Sequence, residues 1–171
     1  MVARGRGNAR PARFGLQLGG RGFCATTGGV RDALRGHLVF ACGAGLYGVP
    51  SELASEVVNL PTLTRVPGAP AHVLGVFALR GEVLPVIDLT RLLGSPPPEQ
   101  EWKRAVVLRV AQGVVALTAT RVLGVASLEG NGGPLGNSGV QQHLKGPFQA
   151  PAGDVATVDP EGLVAFLARG G

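Results

Sequence analysis

The chain has 171 residues, of which 45% are hydrophobic, 16% charged and 5% aromatic. That is enough apolar material for one packed domain or two very small ones, and too much for a wholly disordered chain despite 28 glycines and 13 prolines. Two cysteines make neither a disulfide framework nor a four-ligand metal site, and no apolar run approaches the ~20 residues of a membrane helix, so no membrane insertion is expected.

The net charge of +5 is unevenly spread. Residues 1–36 hold seven arginines against Asp32, a net of +6, while the rest of the chain holds nine bases against ten acids. The basicity therefore belongs to the N-terminal segment, and no specific nucleic-acid partner is expected. That segment alternates Gly and Arg, as in Ala3-Arg4-Gly5-Arg6-Gly7. It lacks the unbroken apolar stretch of a signal peptide and the serines of a transit peptide. It reads as a disordered extension, or as sequence lying upstream of the natural start. The folded body is expected from His37 onward.

In the body, short apolar runs punctuated by Gly and Pro read as strands. Residues 37–42 and 46–49 suggest a hairpin, and 57–60 a third strand. Residues 73–79 and 82–86 flank Arg80-Gly81 as a second hairpin. Leu89, Leu92 and Leu93 then fall at helical spacing before Gly94 and three prolines. Residues 95–101 form the best linker. The pattern restarts with strands at 104–110, 114–117 and 122–128, a Gly-rich loop at 129–142, a strand at 154–158, and a short helix opening at Asp159-Pro160.

The halves align with each other. Gly75 precedes Gly146 by 71 positions, Gly81 precedes Gly153 by 72, and Val86-Ile87-Asp88 precedes Thr157-Val158-Asp159 by 71. Gly45 and Val57 precede Gly113 and Val125 by 68. Matches at nearly constant offset indicate a tandem repeat of five short strands and a helical turn, which suits two small β-barrels sharing a core. The expected division is a first barrel at about 37–98 and a second at about 99–171.

Three chemistries fare poorly. Gly43-Ala44-Gly45-Leu46-Tyr47-Gly48 is a literal G-x-G-x-x-G, but Pro50 stands where the pyrophosphate-binding helix should be under way, and 59–74 offers no acid for a ribose. A nucleotide-binding enzyme using residues 43–48 is the rival class, and a helix directly after Gly48 would favour it. His37, His72 and His143 lack metal-ligand spacing, and no nucleophile motif occurs, so neither cofactor, metal nor catalytic residues are expected. Asp88 and Asp159 occupy matching positions before helical turns and read as N-caps. Glu56 and Arg80 stand out as charges in apolar surroundings, either solvated or a functional pair.

The stretch Leu79-Arg80-Gly81-Glu82-Val83-Leu84-Pro85-Val86-Ile87-Asp88-Leu89 resembles the CheW family of chemotaxis coupling proteins. Tyr47-Gly48-Val49-Pro50, Glu56-Val57-Val58, Leu60-Pro61, Val66-Pro67-Gly68-Ala69-Pro70 and Val73-Leu74-Gly75-Val76 follow that family's order and spacing. Lys145-Gly146 and Val158-Asp159-Pro160 fit its C-terminal half. The resemblance covers about residues 37–168. It implies an all-β fold of two tandem five-stranded SH3-like barrels and a cytoplasmic, non-enzymatic adaptor. The partners it implies are the cytoplasmic tip of a chemoreceptor and the regulatory domain of a CheA-type histidine kinase. A divergent paralogue serving another kinase pathway is the alternative within the family. By position the resemblance makes Glu56, Val57, Val58, Gly75, Arg80 and Gly81 the partner-binding residues. Many members carry an acid in a V-D-x-V phrase where this chain has Thr118-Ala119-Thr120-Arg121-Val122, and the loop Gly130–Gln142 is nearly uncharged.

Overall fold

The computed structural model describes residues 36–170. The expectations for residues 1–35 lie outside the described residues. The elements in order are β1 (His37–Cys42), β2 (Gly45–Pro50), β3 (Ala54–Asn59), β4 (Val73–Leu79), β5 (Glu82–Ile87), α1 (Leu89–Leu92), β6 (Arg104–Val110), β7 (Gly113–Ala119), β8 (Arg121–Ala126), β9 (Gly133–Pro134), a 3-10 turn (Gly139–His143), β10 (Leu144–Ala150), β11 (Gly153–Val158) and α2 (Pro160–Ala168).

The strands form two sheets, and the sheets do not divide the chain in sequence. Barrel I has the order β8-β1-β2-β11-β10-β9, and barrel II the order β3-β6-β7-β5-β4. Each barrel takes its leading hairpin from one repeat and its remaining main strands from the other. The expected split at residue 98 is therefore replaced by an exchange. Two corners set it. The N–H and Oγ1 of Thr120 both donate to the carbonyl of Ala41, at 2.9 and 3.1 Å, which lays β8 on β1. The N–H of Arg109 donates to the carbonyl of Leu53 at 2.9 Å, which lays β3 on β6. Periodicity marks strands but not their partners, so this crossing is invisible in the sequence.

The repeat itself is present in the pairing. Val57 opposes Val106 in barrel II, and Val125 opposes Leu38 in barrel I. The parallel pairs Val86↔Ala116 and Thr157↔Gly48 are equivalent in the same way. The N–H of Asp88 donates to the His72 carbonyl, and that of Asp159 to the His143 carbonyl, both at 2.8 Å. Each aspartate caps its helix. Asp88 Oδ1 accepts from the N–H of Thr90 at 2.9 Å, and Asp159 Oδ1 from that of Gly162 at 3.2 Å. One match shifts: Leu79↔Glu82 and Ala150↔Gly153 are equivalent hairpin closures, so Gly153 corresponds to Glu82 and not to Gly81.

Three apolar clusters organise the interior. Phe77, Leu84, Val86, Ala105, Val107 and Ala116 fill barrel II, and Val39, Leu128, Phe148 and Val155 fill barrel I. A third cluster, with Phe40, Val49, Val106, Leu108, Leu117 and Leu163 among its members, lies between the sheets. Strand β6 serves two of them. Ala105 and Val107 face the barrel II interior, Val106 and Leu108 face the shared core, and all four are buried. Burial on both faces is why this strand is a continuous apolar run and does not alternate.

Strand β10 is absent from the sequence reading. Gly146-Pro147 looks like a turn, and the β10–β11 register does shift between Lys145 and Phe148, so the strand continues across a bulge.

Candidate docking site

At the open end of barrel II the chain assembles four charges. Glu56 and Arg80 form a two-pronged ion pair, with Nη1 to Oε1 and Nη2 to Oε2 both at 3.1 Å. β3 and β4 lie at opposite ends of the strand order, so this pair ties the two edges of the sheet together. The mutual backbone bonds between Thr64 and Val76, both 2.9 Å, close the same seam. Two strands away, Arg109 of β6 reaches over the start of β7 to Glu82 of β5, at 3.2 Å.

Side-chain alternation puts these residues at the barrel mouth. Leu84 and Val86 point into barrel II, so Glu82 lies on the same side of β5. Ala105 and Val107 point inward, so Arg109 does as well, and Glu56 lies opposite Val107. Half-buried Leu79 and Val114 pack on the barrel interior at the same end. Val83, at 68% the most exposed large apolar residue among the described ones, lies on the outer side of β5 opposite the exposed Ala78.

The hairpin that carries Arg80 is a two-residue turn. Arg80 has φ 49° and Gly81 has φ 85°. Positive φ at both central positions matches the right-handed twist of the flanking strands, as in a type I′ turn. Glycine adopts this freely and arginine does not. Arg80 is the one non-glycine residue with positive φ among the described residues.

The other expected site residues have different surroundings. Val57 is half-buried against the shared core and Val58 against the barrel II interior. Gly75 is buried at a bulge with φ 153°, where an added Cβ would sit 2.6 Å from the Thr64 carbonyl oxygen. Gly81 meets nothing within 4 Å and serves the turn. Of the expected set, Glu56 and Arg80 are brought together as an exposed pair. Glu82 and Arg109 were missed, because their partnership crosses a strand that lies between them only in the folded sheet.

The G-x-G-x-x-G stretch does not meet the condition of the rival nucleotide-binding reading. Gly43 has φ 63° in the turn after β1, and residues 45–50 run on as strand β2. No helix follows Gly48, and its backbone is engaged in pairing with β1 and β11, so it cannot cradle a phosphate. Cys42 and Tyr47 belong to the shared core and its edge. Burial pushes the Cys42 thiol up to about 12 and the Tyr47 phenol up to about 12, so neither is a nucleophile at neutral pH. Among the described residues no group of three or more His, Cys, Asp or Glu is placed to hold a metal, and no helix is long and apolar enough to cross a membrane. A cavity of about 270 Å³ opens in barrel I between Leu128, Phe148 and Val158, with Lys145 and Glu161 among its lining residues.

Residues 36–165 match the model of the CheW-like domain. The chain belongs to the CheW-like family. It is 36% identical over 115 residues to protein FrzA of Myxococcus xanthus, covering 65% of this chain and 72% of FrzA. It is 36% identical over 75 residues to chemotaxis protein CheW of Thermotoga maritima, 44% of this chain and 50% of that one. Protein PilI of Pseudomonas aeruginosa is 30% identical over 87 residues, 50% of this chain and 49% of PilI. The chain thus spans about half the length of the CheW and PilI relatives. The crystal structure of scaffolding protein TtCheW from Thermoanaerobacter tengcongensis superposes with a TM-score of 0.66 at 22% identity, covering 75% of this chain and 86% of that one. The two-barrel CheW-like fold is shared with it, and the expected all-β architecture stands. At the start of β8 the hydroxyl of Thr120 bonds back to β1.

Proposed function

We propose that this chain is a non-catalytic cytoplasmic adaptor that couples chemoreceptors to a CheA-type histidine kinase in chemotaxis or motility signalling. The observation that carries this reading is the two-pronged Glu56–Arg80 pair at the barrel II mouth. It stands on a surface with no catalytic constellation among the described residues, and binding is the role left to such a surface. The regulatory domain of the kinase docks there, and the cytoplasmic tip of the receptor, an amphipathic helical hairpin, lies in an apolar groove of the two-barrel body. Val57, Val58, Gly75 and Gly81 support the docking surface by packing and turn geometry.

The test is calorimetry of the full chain with the CheA-type kinase. A saturable complex burying about 1,200–2,000 Å², or less if transient, is expected. Arg80→Ala should weaken it while far-UV circular dichroism stays unchanged. Absence of any complex, or an Arg80→Ala variant that binds as well as the unsubstituted chain, would overturn the reading. A second reading inside the family is favoured by Thr120 and the bare loop Gly130–Gln142, which replace acids expected in the second repeat. In it, the chain keeps the kinase contact but enters extended receptor arrays poorly, or serves a different motility pathway. Imaging of array incorporation beside the calorimetry separates the two.

A further inference from the structure

The four charges at the barrel II mouth come from four separate places: β3, the β4–β5 turn, β5 and β6. Their signs run Glu56, Arg80, Glu82, Arg109, so the rim alternates and sums to zero. Folding gives little reason for the second pair. Its side chains are 62% and 53% exposed, and an exposed pair of that kind adds almost nothing to stability. The repeat supplies an internal control. The equivalent positions in barrel I are Gly124, Pro151, Gly153 and Ala41, none of them charged, on the same strand plan. A barrel end of this architecture therefore needs no charged rim. Beside the rim, on the outer side of β5, Val83 stands 68% exposed.

We propose that Glu82 and Arg109 are specificity-determining residues of the docking surface, and that the partner reads the rim as one alternating pattern of four charges. This rests on the adaptor reading above and extends it from one ion pair to two. A rim of zero net charge does not steer a partner by long-range attraction. It selects by juxtaposition, because a partner out of register meets like charges. The kinase surface that fits must present both an acid and a base, with an apolar contact for Val83.

The decisive variant is the double exchange Glu82→Arg with Arg109→Glu, in the full chain, titrated with the full-length CheA-type kinase. The exchange keeps an ion pair and the net charge, and inverts only the pattern shown to the partner. Binding should fall by about tenfold or more, with the thermal midpoint within about 2 °C of the unsubstituted chain. If the exchanged chain does not fold, Glu82→Gln and Arg109→Gln separately should each weaken binding by about threefold. Affinity of the unsubstituted chain should change little between low and moderate salt. Suppose instead that Arg80→Ala weakens binding while the exchanged chain, or both glutamine variants, bind like the unsubstituted one. The second pair is then an ordinary surface pair and this inference falls alone. If Arg80→Ala also binds normally, or the unsubstituted chain does not bind, the adaptor reading falls with it.

Discussion

Barrels I and II are built on one strand plan and finished differently. In both, a hairpin from one repeat is flanked by the third strand of the other and joined in parallel by its last strand. Barrel II ends in two ion pairs and a left-handed arginine turn. Barrel I ends in Gly124, Pro151, Gly153 and Ala41. What the two share is packing, and what differs is surface chemistry. The docking surface proposed above lies where the two differ.

The strongest way to break this comparison is to test whether the barrels are separable. Leu117 is fully buried in the core between them. Leu117→Ala should cost about 2–5 kcal/mol. Since each barrel borrows strands from both repeats, the loss should appear as one cooperative transition. Urea unfolding followed by circular dichroism and by Trp102 fluorescence should give coincident curves. Two separate transitions would show that the barrels are independent units.

A second test compares equivalent glycines. At Gly75 an added Cβ meets the Thr64 carbonyl oxygen at 2.6 Å, and φ is 153°. At Gly146, its counterpart, the nearest atom is the Val155 carbonyl oxygen at 3.2 Å. Gly75→Ala should therefore destabilise by about 1–3 kcal/mol, and Gly146→Ala by less. Equal losses by thermal melting would mean that the bulges respond alike and that the seam beside Thr64 is not tighter.

These cases also show what the sequence could and could not convey. Strands such as β1 and β6 were legible because mostly apolar segments of six and seven residues ended at Gly-bearing turns. The N-caps Asp88 and Asp159 were legible because capping is local. β10 was hidden by Gly146-Pro147, whose local signal is that of a turn. The exchange of hairpins was hidden because pairing is long-range and each repeat carries the same pattern. At the site, Glu56 and Arg80 were singled out as charges in apolar surroundings. Glu82 and Arg109 became partners only when β7 was laid between β5 and β6.

The buried thiol and the half-buried phenol of the β1–β2 hairpin give an alkaline signature on the barrel I side of the shared core. Burial raises Cys42 from 9.0 to about 12 and Tyr47 from 10.0 to about 12. A group whose pKa folding raises keeps its proton better in the folded chain. Its contribution is whole below the unfolded value and is lost as pH rises through the folded one. Stability should hold to about pH 9 and fall steadily toward pH 12. In Cys42→Ala the fall should begin about one unit later, where Tyr47 starts to titrate. An unchanged onset in the urea midpoint would show that the thiol is accessible to water.

The smallest expected effect is the most discriminating. Arg80 holds a left-handed φ of 49° that costs an ordinary side chain about 1–2 kcal/mol, whereas glycine takes it freely. Its ion pair with Glu56 is exposed on the arginine side and returns about 0–1 kcal/mol. Arg80→Gly therefore removes a strain slightly larger than the interaction it gives up. It should be as stable as the unsubstituted chain or more so by up to about 1 kcal/mol. Arg80→Ala keeps the strain and loses the pair, so it should be the less stable of the two. In the barrel I turn the equivalent residue is Pro151, which no charge depends on. On the adaptor reading proposed above, Arg80 serves the partner and not the fold. The paired measurement is thermal stability and kinase affinity on both variants. Arg80→Gly should hold or gain in the first and lose in the second. A glycine variant that loses stability instead would place the worth of Arg80 in the barrel II seam and not in its partner.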